Sequence, residues 1–374
     1  MTRRIALLIT ALCLASAARA ATRIEFHDIA WPRHNKHTGN LEWILRADKA
    51  LPQPNDRYRC TRPRLKTFKL VKTDEGTRSR RELSLEADEG TYVWAADESE
   101  AHLAGNVKAY VYTEEPIAIR TESASLKSTW TEAEAAAGEV VTKQRVISSR
   151  ARVEVRSRTR TLTGRGMVFR DETLDEPQPD GTRRERRTVS KLTVHRDPCM
   201  TLREGGGAAA LPSILSGPAE DPAEPPKRVV IKTDGPLVLD RLANVARFRA
   251  QAPGEKVVLT RGTGPTATSL ACRVLTLYFT RRGAGENEEL ALKRMLAEKQ
   301  VTYAGKDPDG RSQTFAGERF EWDPAVSVGT LAGGPATMQT SGMRARAPII
   351  KFNQEKNLIR CSRGARLVID FRPE

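Results

Sequence analysis

The residues of this chain best suited to chemistry are basic rather than nucleophilic. From Arg150 to Thr161 the even positions read Arg150, Arg152, Glu154, Arg156, Arg158 and Arg160. The odd positions read Ala151, Val153, Val155, Ser157, Thr159 and Thr161. Guanidinium groups at every second residue of a strand share one face, where they can clasp phosphates or simply stand in water beside a neighbouring glutamate. A second basic cluster, Arg183, Arg184, Arg186 and Arg187, ends a Pro-, Asp- and Arg-rich stretch from Asp171 that reads as a protruding loop. Little aromatic interleaving accompanies it. Nucleic acid is therefore not the expected partner, and anionic lipid head groups or cell-wall polymers fit better.

Other chemistries find less support. His34 and His37 stand three apart, near His27 and Asp28, but no second ligand cluster completes a metal site. His102 and His195 are single. No Gly-x-Ser-x-Gly, His-Glu-x-x-His or phosphate-cradling glycine loop is present. Glu114-Glu115 and Glu288-Glu289 are adjacent pairs, and neighbouring residues of a strand point to opposite faces, which is poor geometry for paired carboxylates. The expectation is a protein with no catalytic residues, no metal and no cofactor, and not an enzyme.

The elements that must carry these residues follow from pattern and composition. The chain has 374 residues, 39% hydrophobic and 29% charged, with only 5% aromatic and a formal charge of +15. That is a globular composition, thin in apolar residues for a large, deeply buried enzyme core. Arg3 and Arg4 precede the apolar run Ile5 to Ala18, and Ala18-Arg19-Ala20 closes it. This reads as a signal peptide over 1–20 and as export to the periplasm, the alternative being an uncleaved inner-membrane anchor. Membrane channels and transporters are excluded, since no other long apolar run exists. After such cleavage Cys60, Cys199, Cys272 and Cys361 remain, none in a Cys-x-x-Cys pair. One or two long-range disulfides, or four isolated buried thiols, are both compatible with that spacing.

Alternation dominates the rest. Leu83 to Ala87, Leu275 to Phe279 and Leu367 to Phe371 repeat the two-residue period, with Gly, Asn or Asp-Pro about every dozen residues. Many short strands at such spacing predict an all-β sandwich, jelly roll or solenoid, with a single helix near 286–300, where Leu292, Met295, Leu296 and Lys299 follow helical spacing. Gly205 to Pro226 is rich in Gly, Ala and Pro and reads as a linker between β domains at 22–204 and 227–374. A loose repeat is visible: Leu103-Ala104-Gly105, Leu162-Thr163-Gly164 and Leu331-Ala332-Gly333 occupy one slot, each between strand segments.

This order of units resembles the periplasmic lipopolysaccharide-transport proteins of the LptA, LptC and OstA-like type. The best stretch is Lys299 to Phe371, with Phe315-Ala316-Gly317, Phe320-Glu321-Trp322-Asp323, Leu331-Ala332-Gly333-Gly334-Pro335 and Asn357-Leu358-Ile359. Looser matches cover 83–169 and 229–279. The resemblance implies stacked antiparallel strands forming open β-jelly-roll units, a groove for a lipopolysaccharide-like lipid, and pairing of edge strands with other Lpt-type periplasmic or inner-membrane components. Under it, Tyr92, Trp94, Tyr110, Phe279, Phe320, Trp322 and Ile349 are candidate lipid contacts, or else core residues of a β protein. Arg152, Arg156 and Arg158 are candidate head-group contacts. The function implied is lipid binding and transport in the envelope. The alternative is a cationic structural envelope protein that binds cell-wall or surface polyanions.

Overall fold

The computed structural model describes residues 25–369 except 35–40, 74–75, 95–97, 113–115, 136–137, 159, 178–182, 203–227, 263–266, 283–288, 307–311, 341–342, 354–355 and 357. Among these residues there are 23 strands, all antiparallel and joined in one hydrogen-bonded network. The first five are β1 (Phe26–His34), β2 (Leu41–Gln53), β3 (Arg57–Thr61), β4 (Arg64–Thr73) and β5 (Gly76–Glu86). Then come β6 (Glu89–Trp94) and the long strands β7 (Glu98–Val111), β8 (Ile117–Ala135), β9 (Gly138–Arg156), β10 (Arg160–Pro177) and β11 (Arg183–Leu202). Six short ones follow: β12 (Val229–Lys232), β13 (Leu237–Asp240), β14 (Val245–Arg249), β15 (Val257–Arg261), β16 (Thr268–Cys272) and β17 (Val274–Arg282). The chain ends with β18 (Glu289–Lys306), β19 (Ser312–Asp323), β20 (Val328–Thr340), β21 (Met343–Asn353), β22 (Leu358–Cys361) and β23 (Arg366–Ile369).

Two rows of side chains account for the architecture. In the first, Leu45, Leu65, Leu85, Ala109, Ile119, Val155, Leu162 and Met200 are successive partners across neighbouring strands. The row continues without a break through Ile231, Leu259, Leu270, Tyr303, Phe315, Met338, Ala345 and Leu367. The second runs Tyr58, Tyr92, Ala101, Leu126, Ile147, Phe169, Leu192 and Leu239. It goes on through Ala246, Leu277, Met295, Trp322, Gly329, Phe352 and Ile359. Each row lines the inner face of one sheet, and the two faces share one core cluster. Burial of a Leu, Ile or Phe is worth roughly 1.5–3 kcal/mol, so a one-residue slip of register would expose a whole row at once. At Gly329 the ring of Phe352 takes the space a side chain would need.

Long strands cross from one sheet to the other at bulges. Pairing shifts between Ala104 and Val107 in β7, between Thr163 and Arg165 in β10, and between Ala332 and Ala336 in β20. All three Leu-x-Gly triplets fall at these points. They do fill equivalent slots, but as bends within a strand rather than turns between strands, because an extra residue kinks the ladder and increases its twist. Gly105 shows the requirement: its φ is +73°, and an added Cβ would lie 2.8 Å from the Cβ of Asp88. Asp88 locks this corner, donating its N–H to Gly105 O at 2.9 Å and accepting from Asn106 Nδ2 at 2.8 Å.

Three expectations need correction. The helix expected over 286–300 is not formed; residues 289–306 are the strand β18, paired with β17 on one side and β19 on the other. Pairing on both edges and burial of Met295 and Ala297 outweigh the helix propensity of that segment. The loop expected over Asp171–Arg187 is largely the arms of the β10–β11 hairpin, with only 178–182 outside the described residues. The alternating Arg150–Thr161 stretch is not one strand: β9 ends at Arg156, Ser157 donates its N–H to Arg160 O at 2.9 Å, and β10 begins.

The expected signal peptide and the 205–226 stretch lie outside the described residues, as do His37, Glu114, Glu115, Thr159 and Glu288. On either side of that stretch, β11 pairs directly with β12 and β13. All four described cysteines are free thiols. Cys199 and Cys272 come nearest in register, yet β12 and β15 stand between their strands. Burial pushes the Cys60 and Cys272 thiols up to about 12, which makes both poor nucleophiles. Alkylation after denaturation without reductant should modify Cys60, Cys199, Cys272 and Cys361 completely. Two unmodified cysteines in the peptide mass spectrum would contradict this register.

Candidate functional site

The interior turns polar in one place. Beyond Leu126, Ile147, Phe169 and Leu192, two residues further along each strand, the next inward row is Ser128, Arg145, Asp171 and Ser190. One more step along the same faces brings Lys143, Thr173 and Arg187 into line. Opposite them, from the other sheet, comes Glu82. It is the extra residue of a bulge in β5, between Leu83, which faces Thr67, and Arg81, which faces Phe68. Glu82, Arg145 and Asp171 are each only 3% exposed.

The charges bridge the two sheets. Arg145 Nη2 donates to Glu82 Oε2 at 2.7 Å, and Lys143 Nζ stands 3.8 Å from the same oxygen. Arg187 Nη2 lies 4.0 Å from Glu82 Oε1, while its Nε is 2.8 Å from Asp171 Oδ1. Burial by itself would raise the Glu82 pKa, but Arg145, Lys143 and Arg187 prevail and lower it to about 2. For Asp171 burial prevails over Arg187 and Arg145, and its pKa is raised. Taking charges out of water is costly, and apolar residues usually serve a core as well or better. Such a network beside a cleft marks a candidate site.

The cleft lies between the sheets at this mouth. Trp43, Leu65 and Thr67 form one wall, and Tyr92, Ala101, Leu126, Ser128, Lys143 and Arg145 the other; Glu42, Ser99 and Glu100 complete the lining. It is narrow, about 440 Å³ including the part open to solvent. The hydroxyl of Thr67, a residue 7% exposed, finds no hydrogen-bond partner among the described residues. Apolar walls that meet Lys143 and Arg145 suit a molecule with a hydrocarbon part and an anionic end.

The residues singled out from the sequence are dispersed. Tyr92 lines the cleft, and the side chain of Trp94 lies outside the described residues. Tyr110 is half-buried at a position out of phase with the inner row. Phe279 is half-buried beneath Arg160, whose Cζ is 5.5 Å from the ring centroid. Phe320 and Trp322 pack with Phe352 in the C-terminal core, and Ile349 is 40% exposed at a bend. Arg152, Arg156 and Arg158 are exposed, Arg156 bonded to Glu154 at 2.6 Å. The cations of the cleft are instead Lys143 and Arg145, with Arg187 behind them. Their signal was parity, since Asp171 is in phase with Met167 and Phe169, and Arg145 with Ile147. Val146 beside Ile147 blurs that phase.

Fold and site define an antiparallel two-sheet β-roll whose N-terminal half holds a cleft beside a buried charge network. No family model matches the chain, and no curated protein matches it. Among solved structures it is similar to LptH, the LptA homologous periplasmic component of the conserved lipopolysaccharide transport device from Pseudomonas aeruginosa. Identity is 18% and the TM-score 0.31, over 43% of this chain and 100% of that one.

Proposed function

We propose that this protein is a non-enzymatic periplasmic component that binds and passes on an anionic amphiphile of the lipopolysaccharide type. The observation that carries the reading is the cleft itself, where the apolar rows meet half-buried Lys143 and buried Arg145 between two sheets. Each buried CH₂ of a bound chain would contribute roughly 0.8 kcal/mol, and the cations would receive the anionic end. Partners would add to the edge strands: β1 at one end, and β22 and β23 at the other, where Leu358, Leu367 and Val368 are 39%, 50% and 44% exposed.

A second reading, a binder of surface polyanions, is favoured by the exposed Arg150, Arg152, Arg156 and Arg158. Calorimetric titration with dodecyl phosphate below its micelle concentration separates the two. Filling the cleft with Ala101→Leu should weaken binding about tenfold or more, with the β signal in circular dichroism retained. Arg156→Ala on the outer face should change it less than about twofold, because exposed pairs contribute only ~0.2–1 kcal/mol. Equal loss in both variants, or binding abolished by salt alone, would favour the polyanion reading.

A further inference from the structure

We infer that Glu82 is a built-in occupant of the head-group site: a carboxylate latch that closes the mouth until the phosphate of an amphiphile takes over its cations. The inference rests on the amphiphile reading above and adds how the cleft opens and which end group it selects. Glu82 comes from one sheet, while Lys143, Arg145 and Arg187 come from the other. Their ion pairs therefore tie the sheets together beside the cleft, whose lining includes Lys143 and Arg145.

The fit of the latch is loose in an informative way. One carboxylate faces three cations, and only Arg145 is within hydrogen-bonding distance; Lys143 and Arg187 remain at 3.8 and 4.0 Å. Arg187 Nε is ion-paired with Asp171 Oδ1 at 2.8 Å, so its hold on Glu82 is shared. A phosphate monoester has three terminal oxygens and up to two charges, enough to meet all three cations with charge-assisted hydrogen bonds. Thr67 supplies a second, independent pointer, because its buried hydroxyl lines the same cleft with no partner among the described residues. The bulge at Glu82 is the device that aims this carboxylate inward, since in a regular ladder only alternate residues of β5 would face the core. Once displaced, Glu82 stands at an opened mouth where water solvates it.

The test compares two probes with the same chain, dodecyl phosphate and the uncharged dodecyl maltoside, on the full protein and on Glu82→Gln. Gln keeps the shape and a hydrogen-bond acceptor for Arg145 but removes the competing charge. Affinity for dodecyl phosphate should rise about tenfold or more, while that for dodecyl maltoside changes less than about threefold. No gain, or an equal gain for both probes, overturns the latch, the second outcome meaning that the substitution only loosened the mouth. Failure of both proteins to bind either probe overturns the amphiphile reading itself. If Glu82→Gln does not fold, Glu82→Asp withdraws the charge by one methylene, and a gain of about threefold confined to dodecyl phosphate is then expected. Absence of that gain counts equally against the latch.

Discussion

Arg145→Leu should destabilise the N-terminal half by about 3–5 kcal/mol, the range for removing one member of a buried ion pair. The substitution removes the guanidinium hydrogen-bonded to Glu82, leaving it only the more distant Lys143 and Arg187, and deprives Asp171 of a nearby cation, with both carboxylates 3% exposed. Protection of β5 and β9 amides against hydrogen exchange reports the local opening energy. Adding Glu82→Leu to Arg145→Leu should restore most of the loss, because an apolar pair requires no desolvation of charge. If the single variant costs under about 1 kcal/mol, the network is not buried as described.

The same pair sets an acid response. The folded pKa of Glu82, about 2, lies below its ordinary 4.5. Its contribution is therefore fully present above about pH 4.5 and is lost as pH falls from there towards 2. Asp171 acts in the other direction, since a carboxyl raised by burial is protonated more readily in the folded state. Denaturant midpoints measured between pH 6 and pH 3 should fall for the wild-type protein and fall less for Arg145→Leu. Equal slopes would mean that Arg145 does not hold the Glu82 charge.

Phe169→Ala should cost a similar amount, about 3–5 kcal/mol, by a different cause. Phe169 is 1% exposed, between Ile147 and Leu192 in the second row, so truncation removes a large apolar group and leaves a cavity that paired strands cannot collapse to fill. Leu367→Ala, at the end of the other row and 50% exposed, should stay within about 0.5 kcal/mol. Thermal unfolding of the two variants side by side checks the contrast. Similar costs would show that position along the row does not govern packing.

Much of the fold was legible in the chain because alternation is local. Val153 and Val155 turn inward while Arg152 and Arg156 face water, as their parity requires. The Leu-x-Gly triplets marked equivalent places for a similar reason, since a kink needs a residue that tolerates it wherever the kink occurs. The segment 289–306 was not legible: its residues favour a helix in isolation, and only strands on both sides make it β18.

The site divides in the same way. By itself the sequence determined a basic, all-β chain with apolar alternation, since composition and period need no knowledge of neighbours. Tertiary structure alone decided which cations matter. Arg152, Arg156 and Arg158 are conspicuous in the sequence and lie outside the roll, whereas Arg145 and Glu82, 63 residues apart, meet within it. Their meeting depends on a bulge in β5, on the register of β7, β8 and β9, and on two sheets closing over one core. None of these is a local property of the residues concerned, because each is set by which strand lies opposite and at what register.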